Sequence, residues 1–324
     1  MTIATTTHAP VDFLRVADLT PSQLEYLLDL AAKMTATPEG WRKTLRTQTV
    51  ACFFEKPSTR TRVSFAAAAY RLGAQPLFLR PDELQLGRGE PIADTARVLA
   101  SYAAAIVLRT FSQAEIEEVA QWADVPVINA LSDMHHPCQV LADLMTVREH
   151  SGDLTGRTLV FLGDGDNNVA HSLLEAGAIA GMRIVVCGPP GYWPKPEILE
   201  SARELASRYG GDIDLSNDPR SAAVGADALY TDVWVSMGEE EEQQQRRSDL
   251  SAYQVNGELM ALARPGAIFL HCLPAHRGEE VTADVIDGPS SAVWQQAANR
   301  LPTEQALLYA LTSGDWTKAD DAAQ

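Results

Sequence analysis

Thr49-Val-Ala-Cys-Phe-Phe-Glu-Lys-Pro-Ser-Thr-Arg-Thr-Arg62 is the stretch whose reading decides the fold. Its first six residues form an apolar run of strand length, and a helical pattern takes over near Val63. Ser58, Thr59, Arg60, Thr61 and Arg62 therefore sit at a strand-to-helix turn, where backbone N–H groups of the first helical turn lack intrahelical partners. Orphan donors, the positive end of the helix dipole and two guanidinium forks all favour a bound oxyanion. The chain carries a formal charge of −17, so this cationic turn is a local exception. It reads as a phosphate seat.

Outward from that turn, strand-like and helical patterns alternate. Upstream, Thr20-Pro-Ser-Gln23 reads as an N-cap, a proline at the first helical position and a capping-box glutamine. Leu24, Leu27, Leu28 and Ala31 follow on one helical face. Downstream, strands are expected at 50–54, 76–79, 105–108 and 125–128, with helices at 64–72, 92–102 and 113–122. A second series has strands near 159–162, 183–187, 228–231 and 267–270. A helix over 137–149, with Pro137 at its start, leads from one series to the next. Such alternation predicts an α/β protein of two domains, each a parallel sheet flanked by helices and joined by helices. The boundary falls at 150/151, giving domains 1–150 and 151–324, with the last helix expected to pack back on the first domain.

Composition narrows the function. A length of 324 residues suits two domains, and 46% hydrophobic with 21% charged residues suits a soluble globular protein. The acidic balance supplies no basic stripe for nucleic acid, and no apolar stretch approaches bilayer length. The Thr-rich residues 1–10 lack the features of a signal peptide and read as a loose tail. Cys52, Cys138, Cys187 and Cys272 lie far apart, so reduced thiols in a cytoplasmic protein are expected.

Polar residues gather repeatedly at strand ends, where ligands bind in parallel sheets. Arg109 follows one strand and alone would suit a surface ion pair. His136 opens the linking helix, where a neutral imidazole is favoured and can polarise a carbonyl. Gln139 offers an amide, whereas Cys138 reads as packed and inert. Gly163-Asp-Gly-Asp-Asn-Asn168 tempts a dinucleotide reading, but Asn168 stands where GxGxxG needs its third glycine. Asp232 and Ser236 suit a zwitterionic amino acid, and Met237 is equally a core filler. The run 239–242 is a solvated acidic face. His271, Cys272 and His276 lie too close in sequence for usual zinc spacing, so no metal is expected.

Taken together, Phe54-Glu-Lys-Pro-Ser-Thr-Arg-Thr-Arg62, His136-Pro-Cys-Gln139, Asp232-Val-Trp-Val-Ser-Met-Gly238 and His271-Cys-Leu-Pro274 closely resemble ornithine carbamoyltransferases, from about Asp12 to Leu311. The Ser-Thr-Arg-Thr-Arg element is shared with aspartate carbamoyltransferases; the Ser-Met-Gly and His-Cys-Leu-Pro elements point to the ornithine branch. The resemblance implies carbamoyl transfer from carbamoyl phosphate to the δ-amine of L-ornithine, giving citrulline and phosphate without a cofactor. It implies catalytic roles for Arg60, Arg109, His136 and Cys272. It assigns carbamoyl phosphate to Ser58, Thr59, Arg60, Thr61, Arg109, His136, Pro137, Cys138, Gln139, Cys272, Leu273 and Arg300, with Gln85 reaching in from a neighbouring subunit of a homotrimer. Asn168, Asp232, Ser236 and Met237 fall to ornithine, and Leu273-Pro274 is implied to be cis.

Departures from the family pattern leave alternatives open. Ala298 replaces the glutamate of Glu-Asn-Arg, so Arg300 is expected to be less firmly oriented, and Leu301-Pro302 follows instead of His or Trp. Ala66 to Ala69 replace larger or acidic residues. A paralogue acting on another amine, or one that binds carbamoyl phosphate without catalysis, would fit those changes.

Overall fold

The computed structural model describes residues 12–84, 89–235 and 243–314. Strands β1 (Thr49–Phe54), β2 (Gln75–Leu79), β3 (Ala105–Arg109) and β4 (Val127–Leu131) form a parallel sheet in the order β2-β1-β3-β4. A second parallel sheet holds β5 (Thr158–Leu162), β6 (Arg183–Cys187), β7 (Asp212–Ser216), β8 (Ala228–Thr231) and β9 (Ile268–Leu270) in the order β7-β6-β5-β8-β9. Parallel neighbours need crossover connections, and helices supply them. These are α1 (Pro21–Ala36), α2 (Thr59–Leu72), α3 (Ile92–Tyr102), α4 (Gln113–Trp122), α5 (Pro137–Ser151), α6 (Asn168–Ile179), α7 (Pro196–Tyr209), α8 (Pro219–Ala223), α9 (Gln243–Leu250), α10 (Gly257–Met260), α11 (Ala283–Ile286) and α12 (Val293–Ser313). No described helix is long and apolar enough to cross a membrane.

Helix α1 starts as expected: Thr20 accepts from the Gln23 N–H, and the Gln23 side chain caps the Thr20 N–H in return at 2.8 Å. Two boundaries and one whole strand differ from expectation. Helix α2 begins at Thr59 rather than near Val63, because Ser58 caps it through the Thr61 N–H. Strand β4 runs later than expected and carries Asn129 at zero exposure; its amide donates to the Leu14 carbonyl at 2.8 Å, which stabilises a polar residue that apolar periodicity passes over. Strand β7 was not anticipated, since an edge strand with half-exposed polar residues has no apolar run.

Helix α5 is buried from Pro137 through Val147, so its apolar spacing marks a central element rather than a one-faced helix. The chain returns at its end: α12 packs against α1, α2 and α5. Pro302 lies inside α12 without ending it. Its missing N–H leaves the carbonyl of the exposed Ala298 to solvent, and Thr303 folds its hydroxyl back on the Asn299 carbonyl at 2.8 Å. One apolar cluster, containing Phe13, Leu28, Phe65, Leu144, Phe161 and Leu307, joins both sheets through these helices. Each fully buried leucine there contributes about 1.5–3 kcal/mol, so the two sheets share a core.

Strand order reverses between β1 and β3 in one sheet and between β5 and β8 in the other. Loops leaving the carboxyl ends of those strands diverge and open a crevice. A cleft of about 510 Å³ lies where the two crevices face each other.

Candidate active site

The cleft is built first from α2. Thr59, Arg60 and Thr61 are its first three residues, and Ser58 Oγ accepts from the Thr61 N–H at 3.2 Å. That cap leaves the Thr59 and Arg60 N–H groups without intrahelical acceptors, at the positive end of the helix. Ser58, Thr59, Arg60 and Thr61 all line the cleft. Arg60 is half-buried, and its guanidinium donates to the Leu273 carbonyl across the divide between the two sheets.

Arg109 is the last residue of β3, not a residue beyond it. The pairing of β3 with β4 shifts register between Leu108 and Arg109, an irregularity that re-aims the side chain at the strand end. The residue is 7% exposed and its Nε has no partner. Burial, then Arg300 and Arg60, pull its pKa down to about 10. Burial and Arg300 also lower Arg60, although Cys272 and Asp232 oppose that effect. Lys56, which sequence reasoning passed over, adds a cation beside them and is lowered by burial and by Arg109. Like charges held together in a partly dry cleft demand an anion.

Arg300 is buried and anchored on several sides. Its Nε and Nη2 donate to Glu304 Oε1 at 3.0 and 2.6 Å, Nη2 also to Thr61 Oγ1 at 3.2 Å, and Nη1 to Gln139 Oε1 at 2.7 Å. The expectation that losing a carboxylate at 298 loosens Arg300 is therefore corrected. Ala298 is exposed and two positions away, a spacing that does not share a helix face, whereas Glu304 lies one turn on. Gln139 is drawn into the same network: its Nε2 donates to Asp143 Oδ1 at 2.8 Å, which also accepts from Gln296 at 2.7 Å. The Gln139 carbonyl retains one lone pair for a ligand N–H.

His136 caps α5, and its backbone N–H donates to Ser172 Oγ at 2.8 Å. Burial, then Arg300, Arg109 and Arg60, hold its pKa well below the usual imidazole value. The ring is neutral, as the sequence implied, but burial dominates over the helix terminus. Its Nδ1 is buried without a partner. Pro137 and Cys138 continue into the helix; Cys138 is fully buried, with a thiol pushed well above its usual range by burial.

The opposite wall carries the other polarity. Cys272 Sγ donates to Asp232 Oδ1 at 3.0 Å, and burial followed by Asp232 raises the thiol pKa well above the ordinary value. Cys272 is thus a neutral donor, not a thiolate nucleophile. The Leu273-Pro274 bond is cis, and the Leu273 N–H donates to His271 Nδ1 at 2.9 Å. His271 Nε2 faces Glu280 Oε1 at 3.2 Å. Both ring nitrogens are therefore engaged; His271 and Cys272 gather with Asp232 within 4.8 Å, whereas His276 gathers with Glu279 and Glu280, so the three residues weighed as zinc ligands fall into two groups.

The glycine-bearing loop after β5 is structural. Gly163 adopts φ +121°, and a Cβ on Gly165 would collide with Val186 and the Tyr192 carbonyl. At α6, Asn167 Oδ1 accepts from both Val169 and Ala170 N–H at 2.9 Å, occupying donors that a pyrophosphate would need. Asn168 lines the cleft and spends one amide hydrogen on the Ser132 carbonyl at 2.7 Å.

Gln85, Ser236 and Met237 lie outside the described residues. The acidic run 239–242 lies outside the described residues, and helix α9 follows it from Gln243. Within it Arg246 is buried, donates from Nε to the Trp234 carbonyl at 2.7 Å and pairs with Asp164. It ties the segment after Asp232 to the loop after β5. The signal for Glu304 was an Arg–Glu pair four residues apart; Arg246 had no such signal.

Comparison with known proteins gives one answer. The chain matches the carbamoyl-P binding domain of aspartate/ornithine carbamoyltransferases over residues 11–149 and the Asp/Orn binding domain over 155–311. A protein of Acidothermus cellulolyticus named ornithine carbamoyltransferase is 54% identical over 296 residues, covering 91% of this chain and 95% of its own. One of Oceanobacillus iheyensis with the same name is 50% identical, covering 93% and 94%. Among solved structures, ornithine carbamoyltransferase from Pyrococcus furiosus superposes with a TM-score of 0.88 at 47% identity, covering 94% of this chain and 97% of its own. The Gloeobacter violaceus protein gives 0.84 at 45%, covering 94% and 100%.

Proposed function

The chain belongs to the aspartate/ornithine carbamoyltransferase family, and from that premise we propose how its cleft works. The reaction is transfer of the carbamoyl group of carbamoyl phosphate to the δ-amine of L-ornithine, giving citrulline and phosphate. One observation supports the division of labour: a cationic cradle on α2, β3 and α12 faces an Asp232–Cys272 pair across a single cleft.

Carbamoyl phosphate sits with its phosphate on the N-terminus of α2, held by Ser58, Thr59, Arg60, Thr61 and Arg109. Lone-pair acceptance by Gln139 and the Leu273 carbonyl suits the carbamoyl NH₂, while neutral His136 addresses the carbonyl oxygen and Arg300 both that oxygen and the phosphate. Pro137 and Cys138 contribute backbone at the start of α5. Ornithine lies across from the donor, with Asp232 toward its α-ammonium and Asn168, Ser236 and the backbone of Met237 toward its carboxylate.

The δ-amine must attack as the free base, although its pKa lies near ~10.4. At pH 7.4 that deprotonation costs about 4 kcal/mol. Desolvation in the cleft and the facing guanidinium groups reduce the cost by disfavouring the ammonium. Attack forms a tetrahedral oxyanion bearing a cationic nitrogen; collapse breaks the C–O bond to phosphate, whose charge the arginines already face, and the departing phosphate takes the amine's proton. Holding two substrates together supplies much of the rate, and the route needs neither a covalent intermediate nor a cofactor.

In this reading the protein is a homotrimer of the cytoplasm, acting in arginine metabolism. Gln85 of one copy completes the carbamoyl-phosphate site of its neighbour. The test is purified protein with carbamoyl phosphate and a panel of amines: ornithine, N-acetylornithine, putrescine and lysine. Citrulline from ornithine in clear preference to the other products is expected; a faster reaction with another amine would overturn the acceptor, and none with any amine would overturn the activity. Light scattering expects three copies per particle.

A further inference from the structure

Arg300 reaches the cleft, but the group that aims it does not. Glu304 is 1% exposed and follows Arg300 by one turn of α12. It holds the Nε/Nη2 edge of the guanidinium at 3.0 and 2.6 Å. A guanidinium is planar and rigid, so gripping one edge fixes the direction of the other. The remaining anchors are Thr61 Oγ1 on Nη2 at 3.2 Å and Gln139 Oε1 on Nη1 at 2.7 Å. Those four bonds leave one of the five guanidinium N–H groups, on Nη1, for a ligand in the cleft.

We propose that Glu304 is a positioning residue for the donor half of the site: a buried carboxylate that no substrate touches sets the affinity for the phosphate-bearing substrate by aiming Arg300. This rests on the functional reading above and names the residue through which one of its arginines acts. Two facts give it substance. Thr61 and Gln139 both line the cleft themselves, so Glu304 grips Arg300 from behind the ligand-facing layer. A carboxylate at position 298 could not replace it, because residue 298 is exposed and on a different face.

The test measures inorganic phosphate binding by calorimetry and the two Michaelis constants from citrulline formation, in wild type, Glu304→Ala, Glu304→Gln and Glu304→Asp. Removing the partner that orients a metal-binding side chain typically costs ~10–100-fold, and a loss of that order is expected for an oriented guanidinium. Glu304→Ala is expected to lose that much phosphate affinity and raise KM for carbamoyl phosphate alike, with KM for ornithine nearly unchanged. Glu304→Asp should recover most of the loss, and adding Ala298→Glu to Glu304→Ala should recover none. Should Glu304→Ala fail to fold, the near-isosteric Glu304→Gln carries the test, with roughly tenfold weaker phosphate binding expected. Unchanged phosphate affinity, or equal damage to both Michaelis constants, overturns the proposal while wild-type citrulline formation leaves the functional reading standing. A wild type that binds no phosphate overturns both.

Discussion

Replacing Arg109 by methionine should make the empty protein more stable and the loaded protein worse. The residue is 7% exposed, its Nε lacks a partner, and its pKa is drawn well below the ordinary guanidinium value, to about 10, by burial, Arg300 and Arg60. A fall of that size corresponds to about 3 kcal/mol against holding the charge in the empty fold. The direction follows from the depressed value: native protein resists the proton that the unfolded chain accepts, so the penalty is complete at every pH below about 10 and relaxes only above it. Methionine keeps the unbranched apolar stem and removes both the charge and the orphaned Nε. Allowing for imperfect packing, a gain of ~1–3 kcal/mol is expected, or roughly 2–6 °C in melting temperature. Phosphate should reverse the ranking, since a ligand that binds only the native state stabilises in proportion to the logarithm of its concentration over Kd. Thermal melts of both proteins across a phosphate series at pH 7.5 provide the assay, with citrulline formation alongside. A variant less stable than wild type without ligand, or one that phosphate stabilises as much as it does wild type, would refute the idea that the empty cleft is strained toward an anion.

Further outcomes follow from other parts of the site. Asp232→Asn keeps a partner for the Cys272 thiol but removes a charge; KM for ornithine should rise ~10–100-fold, with phosphate binding by calorimetry unchanged. Cys272→Ser keeps a donor toward Asp232 and should retain activity within about tenfold, because the thiol is neutral here; complete loss would mean that it reacts as a thiolate. His135 is neutral in the fold, its pKa pushed to about 3 by burial, then Arg15 and His171, while Glu175 at 3.9 Å is already paired with Arg15 at 2.5 Å. The unfolded chain takes up a proton below pH 6.5 that the native state refuses, so stability falls as pH falls. Between pH 8 and 4.5 wild type should lose about 3 kcal/mol more than His135→Gln, read from urea unfolding; parallel losses would show that His135 is not held neutral.

Residues that meet their partners within a few positions were legible in the sequence, and those that meet them across the molecule were not. Thr20 with Gln23 is written into four consecutive residues, and the apolar strands β1, β3 and β5 announce burial on both faces by composition alone. The cationic wall of the cleft was readable for the same reason, because Ser58 to Thr61 carry cap, hydroxyls and guanidinium within one turn of helix. Arg246, by contrast, lies in a run of Gln and Arg that resembles solvated surface. Its burial depends on Trp234 and Asp164, the latter 82 residues away. Glu304 is the instructive intermediate. Its spacing from Arg300 is local, but what makes the pair matter is Thr61 and Gln139 arriving from 239 and 161 residues away. Alanine stands at position 298, where the family pattern has a carboxylate. Helix geometry asks instead which acid shares a face with the arginine, and that question finds the carboxylate one turn later.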